Sequence, residues 1–299
     1  MAERAIPFAE LFDPAFLAAI ERLRLLANRV PAGGRPADQR SKKLGSGLEF
    51  HDHRPYAAGD DLRSVDWNLY QRLGKVFVRL FEENEDLPVY LLPDVSRSAW
   101  VESPPRALAG LRATLGLGAI ALGNHDKVGV FPFGAQLQTL WRPQSGARRV
   151  QSLAQALSTL EPAGGTAIAP ALEEFGRRNL RRGLAVVISD LFDPAGAESV
   201  ARALSELRHS LIVVQLVRAS DREPDLSGDL RLVDCESGAA EDVSVTPQVV
   251  SRYREAYDRF QDIIAAALRA RGAGHLRLDV EGDVAHQLSA LFQGEALVV

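Results

Sequence analysis

Apolar positions follow two rhythms along this chain. In LPVYLLPD (87–94), GLAVVISD (183–190) and SLIVVQLV (210–217) they run nearly unbroken, the pattern of strands covered on both faces of a sheet. Between these runs the spacing changes to that of amphipathic helices. Ser103-Pro104-Pro105 opens a helix running to Gly123-Asn124, RRVQSLAQALSTL and AIAPALEEFGRRNL predict two more, and VARALSELR predicts another. KVGVFPF and QLQTLW read as further strands. Strands alternating with helices predict a mostly parallel sheet with helices on both faces, an α/β doubly wound architecture. In such sheets ligands sit beyond the carboxyl ends of the strands.

The flanks differ. Asp13-Pro14 predicts a helix start, with Asp13 as N-cap, and Phe16, Ile20, Leu23 and Val30 keep helical spacing to about residue 30. VPAGGRPADQRSKKLGSG then reads as an exposed connector, either a plain solvated loop or an anion or partner contact. KVFVRLFEE alternates as a strand. Beyond residue 217 the pattern is less regular until Thr246-Pro247 opens a long helix ending near Gly272. HLRLDV predicts a short strand and VAHQLSALF a last helix. The expected division is 1–86, an N-terminal helix, connector and charged segment, and 87–299, the sheet domain with a helical C-terminal region.

Composition narrows the function classes. The chain has 299 residues, 46% hydrophobic, with a formal net charge of -4, so no basic excess argues for nucleic acid. A single cysteine, Cys235, cannot staple the chain to itself. The N-terminus lacks the basic-then-apolar order of a signal peptide. The longest apolar runs fall far short of the roughly 20 residues of a membrane helix. The expectation is a cytoplasmic protein without a membrane span.

The candidate chemistry lies at the strand ends. Asp94 ends one central strand, followed by Ser96 and Ser98; Asp190 ends another; PAGGTAIAP supplies Thr166 in a glycine-rich loop before a helix. If the chain stays extended past Asp94, residues 94, 96 and 98 project to one side. Five oxygen-bearing side chains then converge, a donor set that suits a hard cation such as Mg2+, or Mn2+. This set resembles the metal-ion-dependent adhesion site of von Willebrand factor type A domains: Asp-x-Ser-x-Ser, a distant Thr, a distant Asp. Pro93 departs from an unbroken strand and could bend its end.

The segment GLEFHDHRPYAAGDDLRSVDWNLYQRLGKVFVRLFEENED (47–86) resembles the signature of the bacterial domain of unknown function family 58, Arg-x-Tyr-x-x-Gly-Asp-Asp-x-Arg-x-x-Asp-Trp, here Arg54, Tyr56, Gly59, Asp60, Asp61, Arg63, Asp66 and Trp67. The resemblance implies a von Willebrand type A-like domain after the segment and association with a MoxR-type AAA+ ATPase, with this protein as a non-enzymatic adaptor in chaperone-like remodelling. Physically, Arg54 and Arg63 among Asp52, Asp60, Asp61 and Asp66 make either a structural clasp or a recognition surface. His51 and His53 could share a metal or line an exposed strand edge. GLGAIA (116–121) lies inside a helix, where close packing explains it better than a dinucleotide loop. Two other functions remain open: a magnesium-dependent phosphohydrolase, for which the second aspartate expected two residues after Asp94 is Ser96, and a structural domain with an unoccupied site.

Overall fold

The structure, a computed structural model, describes residues 6–27, 49–57, 60, 65–82 and 88–293. It divides into two compact units: Met1–Val30 with Leu87–Val299, and Pro31–Asp86. Helix Pro14–Ala27 falls in the unit that holds the sheet.

The smaller unit pairs β1 (Glu49–Pro55) antiparallel with β2 (Phe77–Glu82), and helix Trp67–Leu73 lies between them in sequence. Asp66 caps that helix, its Oδ1 accepting from the N–H groups of Asn68 and Leu69, and Gly74 ends it at φ +65°.

The larger unit is built on β3 (Pro88–Pro93), β4 (Lys127–Val130), β5 (Trp141–Gln144), β6 (Leu184–Ser189) and β7 (Ser210–Val217). A hairpin, β8 (Gly228–Val233) and β9 (Ala240–Val245), precedes β10 (Gly274–Asp279). The six-stranded sheet has the order β10-β7-β6-β3-β4-β5, parallel except for β5, which is antiparallel to β4. The chain starts in the middle and winds outward in both directions, so the switch point lies between β3 and β6, where a doubly wound sheet leaves its crevice.

Alternation along the strands separates two cores. Val89, Leu91, Val186, Ile188, Val214 and Leu216 pack on one face against helices Pro14–Ala27, Arg106–Gly123, Val150–Leu157 and Val284–Gln293. Tyr90, Leu92, Ala185, Val187, Leu211 and Val213 pack on the other against helices Ile168–Arg177, Ala197–Glu206 and Pro247–Arg271. That double coverage is why the strands read as continuous apolar runs. The GLGAIA glycines serve packing: a Cβ on Gly116 would stand 2.7 Å from Leu288 and 3.0 Å from Ile20, and one on Gly118 would stand 2.7 Å from Leu153.

Two sequence expectations need correction. QLQTLW (136–141) is not a strand: Leu137 is buried from a loop, and the edge strand starts at Trp141, where the antiparallel register with Val130 begins. The irregular stretch after residue 217 contains the β8–β9 hairpin. Both its strands are largely exposed, so no buried face imposed an alternating pattern.

Candidate metal centre

Pro93 does not bend β3. Pairing continues on both sides of it: Asp94 N–H donates to Ile188 O at 2.8 Å and Phe133 N–H to Pro93 O at 3.0 Å. Asp94 is thus held at the switch point and is 5% exposed. Its Oδ1 accepts from Ser96 N–H at 2.9 Å and its Oδ2 from the Ser189 hydroxyl at 2.6 Å.

The serines meet by a route other than strand alternation. Arg97 adopts helical angles (φ −58°, ψ −40°) and Ser98 begins the short helix Ser98–Val101, so the extension past Asp94 stops within a few residues. A turn folds the two hydroxyls together, Ser96 Oγ to Ser98 Oγ at 3.1 Å. Backbone bonds lace this turn to two other loops: Ala163 N–H to Val95 O (2.8 Å), Arg97 N–H to Gly164 O (2.8 Å), Ala135 N–H to Ala163 O (3.1 Å) and Ala167 N–H to Gly134 O (3.2 Å). Gly164 has φ +75°, a conformation glycine adopts without strain. The lacing brings Thr166 to the same edge as Asp94, Ser96 and Ser98.

Asp190 follows β6, next to the serine that holds Asp94. Its Oδ1 accepts from Phe192 N–H at 3.0 Å, and its Oδ2 stands 3.6 Å from Arg106 Nε. Leu191, fully buried, has φ +69°, a strained backbone for a non-glycine residue and of a kind that collects at functional sites. Burial, then repulsion from Asp94, pushes the Asp190 carboxyl up to about 7, against the pull of Arg106. Burial likewise raises Asp94, opposed by its hydrogen bonds from Ser189 and Ser96, with Glu236 adding repulsion.

Four residues at the centre were missed from sequence. Ser189 orients Asp94. Asp193 joins the Asp190 loop to the Thr166 helix, its Oδ2 accepting from Ile168 N–H at 2.6 Å. Arg106, 5% exposed, sits among Asp221, Glu102 and Asp190. Glu236, at the tip of the β8–β9 hairpin, accepts from Thr166 Oγ1 (2.7 Å), Thr166 N–H (2.7 Å) and Ser98 N–H (3.4 Å). Burial opposes its ionisation, but these bonds from Thr166 and Ser98 hold its carboxyl below the usual range. A serine directly before a strand-end aspartate was the one signal available for Ser189; the others depend on tertiary placement.

The donors fit a hard divalent cation in kind. All are oxygens, and the buried Asp94 and half-buried Asp190 carboxylates repel each other in a way a cation between them would relieve. Among the described residues no three His, Cys, Asp or Glu side chains form a metal-ligating group, so an ion here would rely on the hydroxyls of Ser96, Ser98 and Thr166 as well as on carboxylates.

In the smaller unit, Arg54 donates from Nη1 and Nη2 to Oδ2 and Oδ1 of Asp60 at 2.7 and 2.6 Å, and Ala57 N–H donates to the same carboxylate at 2.9 Å. These hydrogen bonds, Arg54 first, hold Asp60 below its ordinary range. Tyr56 and Trp67 are exposed, and Trp67 packs edge-on against Tyr70 at 6.2 Å. Gly59, Asp61 and Arg63 lie outside the described residues, as do the side chains of His51, Asp52 and His53.

A family model described as protein of unknown function DUF58 matches residues 52–262, well over half of the chain. An uncharacterized protein of Mycobacterium tuberculosis, Rv1480, is 28% identical over 283 residues, 92% of this chain and 88% of its own, and Mb1516 of Mycobacterium bovis matches equally. Among solved structures, the conserved hypothetical protein BatB of Bacteroides thetaiotaomicron aligns with TM-score 0.43 at 17% identity, covering 69% of this chain and 96% of its own. The manganese-loaded TRAP protein of Plasmodium vivax aligns with TM-score 0.36 at 21% identity, covering 44% and 57%. Among the described residues no helix is long and apolar enough to cross a membrane.

Proposed function

The chain belongs to the DUF58 family of proteins of unknown function, and from that premise we propose that it is a metal-dependent protein-binding module, an adaptor rather than an enzyme, that docks a MoxR-type AAA+ ATPase through the centre at the β3–β6 switch point. The observation that carries the reading is the meeting of Asp94, Ser96, Ser98 and Thr166, from two loops, beside the carboxylate of Asp190. When bound, Mg2+ or Mn2+ supplies a positive point at which an acidic side chain of a partner is attracted.

The protein's own residues do the rest. Asp94 and Asp190 set the charge of the centre. Ser189 fixes the Asp94 carboxylate, and Ser96 N–H holds its other oxygen. The 3.1 Å pair of Ser96 and Ser98 keeps two hydroxyls on one side. Arg106 anchors Asp190 from behind and is itself pinned by Asp221. The Arg54–Asp60 pair closes the 54–60 loop on itself.

The test is co-purification of the protein with a MoxR-type ATPase in magnesium, with and without EDTA, together with Asp94→Ala checked for folding by circular dichroism. Loss of the complex in both treatments is expected. Binding that survives both would remove the metal centre as the docking site and shift attention to the segment around Arg54 and Trp67.

A further inference from the structure

The β8–β9 hairpin contributes little to either core. Neither strand joins the six-stranded sheet, and most residues along both are exposed, Leu232 and Val233 included, with Leu230, Val243 and Val245 half-buried. A two-stranded hairpin with two open edges is at best marginally stable by itself. Its turn is nonetheless closely built. Asp234 N–H donates to Ala239 O at 2.8 Å and Gly238 N–H to Asp234 O at 2.9 Å, with Gly238 at φ +72°. The Asp234 carboxylate accepts from Glu236 N–H at 3.1 Å, from Ser237 N–H at 3.2 Å and from the Ser237 hydroxyl. That turn leaves Cys235 and Glu236 as its least exposed residues.

Glu236 is where the arm meets the body of the unit. Its carboxylate takes three donors from the two loops that carry Ser98 and Thr166. The opposite wall makes room for it: a Cβ on Gly165 would stand 3.3 Å from Glu236 Oε2. A carboxylate on an extended arm, seated on the hydroxyl of a candidate ion ligand, is the group an acidic partner would present there.

We propose that Glu236 is an intramolecular stand-in for the partner's carboxylate, so that the β8–β9 hairpin is a latch which closes the centre until an acidic segment of a partner displaces it. The proposal rests on the reading of the centre as a divalent-cation site. It adds that the site is self-competed. Opening exchanges the three bonds of the Glu236 side chain and swings a hairpin of which no described residue belongs to either core. Affinity for an external carboxylate is then reduced by the fraction of time the latch is closed.

The test uses Mn2+ alone and then acetate as a minimal external carboxylate, on the full chain stripped with chelator. Mn2+ binding is followed by calorimetry, and the water left on the ion by proton relaxation enhancement. Wild type should bind Mn2+ and Asp94→Ala should not. Glu236→Ala should bind Mn2+ about tenfold more weakly or worse, as loss of a supporting carboxylate does elsewhere. Its bound ion should show higher relaxation enhancement, which acetate lowers at concentrations that leave wild type unchanged. Equal enhancement and an equal acetate response in wild type and Glu236→Ala, with Asp94-dependent binding intact, overturn the latch and leave the metal centre standing. Absence of Mn2+ binding to stripped wild type overturns the metal centre and the latch with it. The tip is exposed apart from Cys235 and Glu236, so the variant should keep its fold, checked by circular dichroism.

Discussion

Arg106 offers the sharpest test of how the centre is supported. Its side chain is 5% exposed and that of Asp221 is 7%. The guanidinium makes a two-pronged contact with Asp221, one prong at 3.0 Å; it also reaches Glu102 at 3.2 Å and Leu216 O at 3.4 Å, and stands 3.6 Å from Asp190. Burial alone would lower the pKa of such a group, but the three carboxylates outweigh it and keep the charge fixed. Arg106→Met preserves much of the volume and strands the Asp221 carboxylate, for which removal of one partner of a buried pair costs about 3–5 kcal/mol. With a urea m-value of roughly 2–3 kcal/mol/M, the midpoint should fall by about 1–2.5 M. Far-UV circular dichroism and tryptophan fluorescence should give coincident curves, which justifies a single free energy. The double variant Arg106→Met/Asp221→Asn removes both charges and keeps an acceptor for Arg218 N–H, which Asp221 now receives at 2.8 Å. It should recover a measurable part of the loss, because residues in direct contact couple by about 0.5–3 kcal/mol. A single variant within about 0.3 M of wild type, on the same m-value scale, or a double variant worse than the single one, would refute the buried-pair account.

Three further outcomes are expected. Starting from chelated protein, saturating Mg2+ at about 100 times its dissociation constant should add roughly 2.7 kcal/mol, a rise in melting midpoint of about 5–10 °C, and Ser96→Ala, Ser98→Ala and Asp190→Ala should each shrink it; calorimetric scans showing no rise in wild type with Mg2+ or Mn2+ would sink the metal reading. Gly134→Ala places a Cβ 2.5 Å from Ala163 O, a backbone atom, so it should cost about 1–3 kcal/mol by overpacking and displace the Thr166 loop, lowering Mn2+ affinity as well as the urea midpoint. His209, 5% exposed, accepts Gly183 N–H on Nδ1 at 3.2 Å, and burial, then Arg182 and Arg271, hold its pKa below 6.5. The unfolded chain therefore takes up the proton first. The His209 contribution to stability is intact above about pH 6.5 and declines as pH falls toward the lowered folded value, with a limiting slope of about 1.4 kcal/mol per pH unit. Urea midpoints at pH 5.5, 6.5 and 7.5 should show that slope reduced in His209→Gln, and equal slopes in the two proteins would contradict it.

What was legible in the sequence was what burial dictates. The runs around Tyr90, Val187 and Val213 are covered on both faces and could be nothing but central strands, and Thr246-Pro247 with Gly272 marked both ends of a helix by cap chemistry that needs no tertiary context. Asp94 and Asp190 could be placed at one edge because a parallel sheet puts all its carboxyl ends there. The route by which Ser96 and Ser98 meet was misjudged for a physical reason. An Asp two residues before a Ser can draw the backbone N–H to its own carboxylate and turn the chain, and that local bond ends the strand.

Glu236 shows where reading by pattern must stop. It lies 70 residues from Thr166, between two strands without a buried face, in a turn whose Asp, Ser and Gly are common to many surface hairpins. Its contact is made by one carboxylate across a long loop closure, and closing a loop of that length costs little more entropy than closing one of half the length. Sequence distance therefore gave no reason either to expect the contact or to exclude it. The same economy makes it reversible. An arm on strands of which no described residue joins either core opens without disturbing the hydrophobic burial that stabilises the sheet, which is the property a competitor for the centre requires.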